Sequence, residues 1–150
     1  MSKNTLPGNS FAKPRFDEPY LTETVQKALG RPVAHVGFSP LQGDASTRQY
    51  YRLSMEYLET PPEPATLILM QLEAPNIQGE TDFIRVLKFL KELHLPVPEL
   101  LHFDAERGLL LLQDCGDVTL ETHLHSADTE TLKNGYIKAV HLLTAMQNEA

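Results

Sequence analysis

Apolar residues recur along this chain with two spacings, one typical of helices and the other typical of strands. A four-residue apolar spacing over 17–30 predicts a first helix, which Gly30 and Pro32 end. A second amphipathic stretch predicts a helix over 81–94, which ends before two closely spaced prolines. The apolar stripes are Leu21, Val25 and Leu29 in the first helix, and Phe83, Val86 or Leu87, Leu90 and Leu93 in the second.

Five shorter segments have the composition of strands. Residues 33–38 and 49–55 flank a polar loop, so we expect them to pair in antiparallel fashion. Residues 66–72 form a continuous apolar run, which is typical of a strand covered on both faces. Residues 99–112 predict a hairpin around the turn Asp104–Gly108, with glycine at the end of the loop.

The two ends of the chain differ from this middle part. Residues 1–16 contain prolines and small polar residues without a sustained period, which predicts a mobile arm. A short helix over 118–125 and a longer one over 128–147, with Asp128 as its N-cap, are expected to follow the strands. The longer helix has an apolar stripe with little in the chain to cover it. We therefore expect this helix to pack back on the rest of the chain, to mediate oligomerisation, or to belong to the front piece of a longer protein.

Composition excludes several classes of protein. The length of 150 residues, with 41% hydrophobic and 22% charged residues, is typical of one soluble globular domain. The order of the predicted elements describes an α+β lobe followed by the start of a helical part. The net charge of -7 argues against nucleic acid or an anionic membrane as the main partner. The single cysteine, Cys115, excludes an intramolecular disulfide and is compatible with a reducing compartment. No apolar run approaches the roughly 18 residues of a membrane span and no secretory signal is present, so we expect a cytoplasmic protein.

The stretch Leu41–Leu53 joins a small-residue turn to an aromatic-rich strand and is the first candidate for a binding site. Gly43 permits positive φ, and the side chains of Asp44 and Ser46 are suited to bond backbone amides. Such a loop either covers a phosphate with its backbone N–H groups or is an ordinary hairpin turn. This stretch alone leaves both interpretations open.

Four segments, taken in their order and spacing, resemble the aminoglycoside phosphotransferase-like kinases. The likeness is closest to the bacterial branch that phosphorylates cell-wall amino sugars, N-acetylmuramate or N-acetylglucosamine, at the anomeric position. The segments are LQGDASTRQYYRL from Leu41, LILM from Leu67 with Ala74-Pro75, LPVPE from Leu95, and LLLLQDCGD from Leu109. The resemblance implies a protein-kinase-like N-terminal lobe over 17–116, made of an antiparallel sheet plus a helix. ATP is then held between this lobe and a helical C-terminal lobe, of which 117–150 is the incomplete start.

The resemblance also implies a set of site residues. The loop over the phosphates is Gly43, Asp44, Ala45, Ser46, Thr47 and Arg48. The hinge is Gln113–Cys115, where the backbone groups of Asp114 and Cys115 meet the adenine edge. The cofactor is ATP with Mg²⁺, whose metal ligands are expected outside this chain, and the acceptor is a sugar or amino sugar.

The chain departs from the family pattern on the third strand, where related kinases place a lysine that holds the α- and β-phosphates. Met70 or Gln71 occupies that place here. Arg48 or Arg52 either supplies the missing charge or is a solvated strand arginine. Glu80 is either the helix partner of the third-strand residue or an exposed carboxylate in the first turn of its helix.

A second departure concerns catalysis. The His-Gly-Asp-like loop that orients the acceptor hydroxyl, its following asparagine and the later magnesium-binding aspartate are not found in this sequence. We therefore expect no catalytic residue in this chain and no activity from it alone. The alternatives are a non-catalytic nucleotide-sensing or protein-interaction domain with a degenerate kinase-like lobe, and a plain α+β interaction domain.

Overall fold

The computed structural model of this protein describes residues 13–41, 47–58, 66–125 and 127–149. These residues form an α+β structure with a five-stranded antiparallel sheet and four helices. In chain order the elements are α1 (Glu18–Leu29), β1 (Val33–Leu41), β2 (Gln49–Tyr57), β3 (Thr66–Gln71), α2 (Asp82–Glu92), β4 (Leu100–Asp104), β5 (Leu109–Gln113), α3 (Leu120–Leu124) and α4 (Thr129–Glu149).

The chain divides into two compact units. The first comprises residues 1–79 and 99–114 and contains α1 and the whole sheet. The second comprises residues 80–98 and 115–150 and contains α2, α3 and α4. None of the helices in the described ranges combines the length and the apolar content needed to cross a membrane.

Helix α1 begins and ends where the sequence predicts. The carboxylate of Asp17 accepts a hydrogen bond of 3.0 Å from the backbone N–H of Tyr20, which satisfies one of the free amides of the first turn. Gly30 adopts φ 66° and its N–H donates to the carbonyl of Gln26, which ends the helix. Leu21 and Val25 are buried and belong to the core of the first unit, as the apolar spacing predicts.

The sheet has the strand order β1-β2-β3-β5-β4, so β3 is central. Directly opposite residues of antiparallel strands share a face. Leu53 lies opposite Leu67, and Leu69 opposite Leu111, on the face that contacts the core residues of α1. We call this the core face. The other face of the sheet contains Arg52 and Ile68 in one row, and its side chains Met70, Leu110 and Leu112 are buried. We call it the open face because Tyr50, Arg52 and Ile68 on it are partly exposed.

The strand predictions are confirmed, but β1 and β2 extend beyond their predicted ends at residues 38 and 55. β1 continues through Pro40 to Leu41, opposite Tyr50. Proline lacks an N–H donor but is tolerated in β1 because this is an edge strand of the sheet.

In α2 the buried residues are Ile84 and Leu87, and the N-cap is Thr81, whose hydroxyl accepts from the N–H of Ile84 at 3.2 Å. The predicted alternative Val86 is wrong, since it is 56% exposed. The predicted stripe omits Ile84, which lies three residues before Leu87 on the same helical face.

Two residues of the predicted mobile arm, Arg15 and Phe16, are packed against the sheet. Phe16 is buried and makes edge-to-face contacts with Phe38 and Tyr51, at centroid distances of 5.1 and 4.9 Å. The backbone N–H of Arg15 donates to the side-chain oxygen of Gln71 at 2.9 Å. The prediction is therefore wrong for Arg15 and Phe16, whereas Lys13 and Pro14 are exposed. We call residues 13–16 the N-terminal strap; residues 1–12 lie outside the described ranges.

A polar cluster joins α1 to the turn between β4 and β5. The carboxylate of Asp104 accepts hydrogen bonds of 2.8 Å from the hydroxyl of Tyr20 and from the backbone N–H of Arg107. Burial, and to a smaller extent the hydrogen bond to Asp104, raises the pKa of Tyr20 to about 12. Burial by itself raises the pKa of Asp104, but the hydrogen bonds from Arg107 and Tyr20 outweigh it, so the net pKa is lowered.

We expect Asp104→Asn to lower the free energy of unfolding by about 1.5 kcal/mol at neutral pH, the scale of hydrogen bonds to a charged group. Because the folded-state pKa of Asp104 is depressed, the charge-dependent stabilisation is present above the unfolded pKa of about 3.9 and is lost as the pH falls below it. Urea unfolding at pH 7 and pH 3 measures this. Glu106→Gln, an exposed change in the same turn, is the control. If the difference in unfolding free energy between Asp104→Asn and wild type does not shrink at pH 3, the assigned role of the Asp104 carboxylate is contradicted.

Gly108 adopts φ 62°, and a Cβ at this residue would lie 2.9 Å from the carbonyl oxygen of Ala74 and 3.1 Å from the Cα of Pro75. Gly30 has nearly the same φ, 66°, with nothing within 4 Å of the equivalent Cβ. Gly30→Ala is expected to cost about 1–2 kcal/mol of stability through backbone strain alone. Gly108→Ala is expected to cost at least about 1 kcal/mol more in urea unfolding, because backbone atoms have to move. Equal losses for the two variants would show that the close approach has no energetic effect.

Candidate functional site

The open face of the sheet presents a row of partly exposed side chains. Side chains alternate along β2, so that Tyr51 and Leu53 are buried on the core face while Tyr50 and Arg52 lie on the open face, partly exposed. Arg52 lies opposite Ile68 of β3, which is also partly exposed. We call Tyr50, Arg52, Ile68 and the neighbouring Asp114 the candidate strip. All four residues belong to the first unit.

Arg52 and Asp114 form a two-point ion pair on this strip. The guanidinium Nε lies 2.8 Å from Oδ2 of Asp114, and Nη2 lies 3.3 Å from Oδ1. The side chains are 22% and 6% exposed, respectively. Because β3 separates β2 from β5, the pair crosses the central strand and fixes the residue that directly follows β5. Such bidentate pairs are stronger and more directional than single ionic contacts.

This geometry bears on both interpretations of Arg52. The interpretation of Arg52 as a solvated strand arginine is wrong, because its guanidinium is mostly covered and is bonded to a carboxylate. The carboxylate of Asp114 neutralises the positive charge of Arg52, and a phosphate bound at this place would need that charge. Arg52 is therefore a group that holds Asp114 in position.

The predicted phosphate loop lies mostly outside the described residues. Gly43, Asp44, Ala45 and Ser46 fall in the range 42–46, which the structure does not describe. Thr47 is exposed, and Arg48, which directly precedes β2, is partly exposed. Their assignment to a nucleotide stays a prediction.

Met70 and Gln71 occupy different faces of β3. Met70 lies opposite Tyr50 on the open face and is fully buried, at 0% exposure, so its side chain offers no surface to a ligand. Gln71 lies opposite Gln49 on the core face and is 1% exposed. Its amide nitrogen donates to the side-chain oxygen of Gln49 at 2.9 Å. Of the two residues, only Met70 shares a face with the candidate strip.

Two further predicted residues belong to the second unit and are described separately. Cys115 is an exposed free thiol directly after Asp114. Glu80 pairs with Lys88, and the two side chains are 47% and 57% exposed. This agrees with the interpretation of Glu80 as an exposed carboxylate next to the start of α2.

Metal coordination finds no support in the described ranges. Among these residues, no group of three or more His, Cys, Asp or Glu side chains is arranged to hold a metal ion. The expectation that magnesium ligands lie elsewhere stays a prediction.

Sequence reasoning named Tyr50 and Ile68 as strand residues but did not assign them to a site. The available signal was the alternation along β2, in which residues 51, 53 and 55 are apolar or aromatic and residues 50, 52 and 54 must take the other face. The partnership of Arg52 with Asp114 had no local signal, because 62 positions separate the two residues.

Comparison with known proteins adds no relative to this description. A scan against protein families and a search of curated proteins both return no match for the chain.

The Arg52–Asp114 pair is expected to show a coupling free energy of about 2 kcal/mol in a double-mutant cycle of Arg52→Met and Asp114→Asn, because both groups are mostly covered and bonded at two points. Urea unfolding of the single and double variants measures the coupling. The exposed pair Lys88 and Glu80, changed to Met and Gln, serves as the control, with an expected coupling of about 0.5 kcal/mol. Equal couplings for the two pairs would refute a structural role for the first.

Proposed function

We propose that this chain is the nucleotide-binding part of an ATP-dependent phosphotransferase that acts on a sugar or amino-sugar hydroxyl, in the aminoglycoside phosphotransferase-like family. The observation that supports the proposal most is the arrangement of the open face. Asp114, assigned to the adenine side, follows β5 at one end of the sheet, and Arg48, assigned to the phosphates, precedes β2 at the other end.

The distance between these two ends suits an extended nucleotide. Gln113 lies opposite Leu67 of β3, and Gln49 lies opposite Gln71 of the same strand. Four residue steps along an extended strand span about 13 Å. A nucleotide laid along β3 would therefore place its base near Asp114 and its phosphates near Arg48.

The chemistry of the candidate strip fits a base better than a phosphate. Ile68 offers partly exposed apolar surface beside the Arg52–Asp114 pair, whose charges cancel. Tyr50 adds aromatic surface further along the sheet, and stacking of a base on an aromatic ring is worth about 1–3 kcal/mol. Met70, buried on the same face of the sheet, would support the site without contacting the ligand. The backbone groups that follow β5 would then recognise the edge of the base, as the resemblance implies.

In this proposal the chain binds and orients the nucleotide and performs no chemical step. Phosphoryl transfer depends on positioning and on neutralisation of charge at the phosphates. As the resemblance implies, magnesium coordination and orientation of the acceptor hydroxyl are assigned to residues outside this chain. Alone, the chain is expected to bind Mg-ATP weakly and to be inactive.

One observation favours a second candidate function, a protein-interaction domain. The long helix α4 exposes many large apolar side chains in the described structure, as expected for a helix without enough surface to cover it. They are Leu132, Tyr136, Ile137, Val140, Leu142, Leu143 and Met146. A folded chain that does not bind nucleotide would favour this second function.

Isothermal titration of the chain with Mg-ATP tests the first proposal. Ile68→Glu places a negative charge on the candidate strip and is expected to weaken the affinity by about tenfold or more, which is about 1.4 kcal/mol. Ile77→Glu is the matched control, because Ile77 belongs to the same unit and is already 76% exposed. Circular dichroism verifies that both variants are folded. Absence of binding at millimolar nucleotide, or equal affinities for both variants, would refute the proposed site.

A further inference from the structure

The N-terminal strap binds the end of β3 through Arg15. The guanidinium of Arg15 donates to backbone carbonyls at two places, just after β3 and in the turn before β5. The acceptors are the carbonyl oxygens of Leu72, Glu73 and Arg107. The Arg107 guanidinium returns a hydrogen bond of 3.0 Å to the carbonyl of Arg15. The strap is therefore held by several directional bonds in addition to the burial of Phe16.

Besides the contact of Phe16 with Tyr51, a buried polar side chain connects the strap to β2 by hydrogen bonds. Gln71 accepts from the backbone N–H of Arg15 at 2.9 Å and donates to the side-chain oxygen of Gln49 at 2.9 Å. The hydroxyl of Tyr51 donates to the same oxygen of Gln49 at 3.2 Å. These bonds form one polar network that runs from the strap, across the end of β3, to the first residue of β2.

The network ends on the immediate neighbours of Met70, which is buried on the face of the candidate strip, and of Arg48, which is assigned to the phosphates. Gln71 directly follows Met70, and Gln49 directly follows Arg48. Gln71 is 1% exposed while the strap is bound, and its amide nitrogen also donates to the carbonyl of Lys13 at 3.4 Å. Departure of the strap removes the bonds from Gln71 to Arg15 and Lys13, which weakens the network that holds the Gln71 amide against Gln49. Release of the strap is thus expected to disturb the backbone at Met70 and Arg48.

From this geometry we infer that the N-terminal strap is a positioning element for the nucleotide site, with Arg15 and Gln71 as its positioning residues. The inference rests on the proposed function. When the strap is bound, Gln71 and Gln49 hold the start of β2 in the arrangement that receives the phosphates. Because coupling between two sites is reciprocal, nucleotide must also strengthen the binding of the strap, by the same factor.

The test uses the whole 150-residue chain and Mg-ATP. Hydrogen–deuterium exchange of the Arg15 N–H is measured with and without saturating Mg-ATP, and is expected to slow by about fivefold or more, the lower end of typical couplings between sites. Arg15→Ala is expected to weaken the affinity for Mg-ATP by the same factor. In Gln71→Met, which keeps the length of the side chain but removes its polar atoms, the exchange of the strap should no longer respond to nucleotide.

Arg31→Ala is the matched control for loss of an arginine in the same unit. Its guanidinium lies 4.6 Å from the ring centroid of Tyr57, at the opposite end of β2 from Gln49, so the affinity should stay unchanged. If wild type binds Mg-ATP but neither exchange nor the Arg15→Ala affinity changes, the inference is refuted and the proposed function stands. If wild type does not bind Mg-ATP at millimolar concentration, both are refuted. Should Arg15→Ala fail to fold, the exchange measurement on wild type decides.

Discussion

The register of β3 between β2 and β5 is the constraint on which the rest of the first unit depends. Leu67 and Leu69 face the core that α1 completes, and Ile68 and Met70 therefore take the opposite face. A slip by one residue would exchange the two faces and remove both leucines from the core. Burial of apolar side chains on one face thus fixes the place of every polar group on the other.

Two polar linkages hold β3 in its register, one that crosses the strand and one that joins its end to β2. Arg52 meets Asp114 on the open face, and Gln71 meets Gln49 on the core face. Polar groups that are covered from water are tolerated only when they are bonded, so each linkage favours one arrangement of the strands it joins. The distance between the proposed base and phosphate ends is therefore set by a paired sheet rather than by loops. Rigid elements of this kind hold binding groups more accurately than loops do.

The sequence predicted the elements whose signals are local. Helix α1 was predictable because its apolar stripe and both caps lie within 14 residues, from Asp17 to Gly30. The five strands were predictable from short apolar runs between turn residues. The end of β1 was not, because Pro40 is typical of a strand boundary and is tolerated here only at the edge of the sheet.

The sequence could not predict the strap or the candidate strip, because their partners are distant in the chain. Arg15 and Phe16 stand in an irregular stretch, and the bond from Arg15 to Gln71 joins residues 56 positions apart. A choice between Met70 and Gln71 for the open face required the register of β3, which a continuous apolar run does not reveal. Chemistry that depends on pairing across a sheet is visible only once the strand order is known.

The central claim is that a nucleotide lies along the open face of the sheet, and chemical-shift mapping of backbone amides by NMR during titration with Mg-ATP tests it most directly. The account predicts shifts at both ends of the face, near Arg48 and Asp114, with further shifts at Tyr50 and Ile68 between them. The amides in the middle of α1, which packs on the core face, should not change. Shifts confined to α4, or no shifts at millimolar nucleotide, would contradict the account.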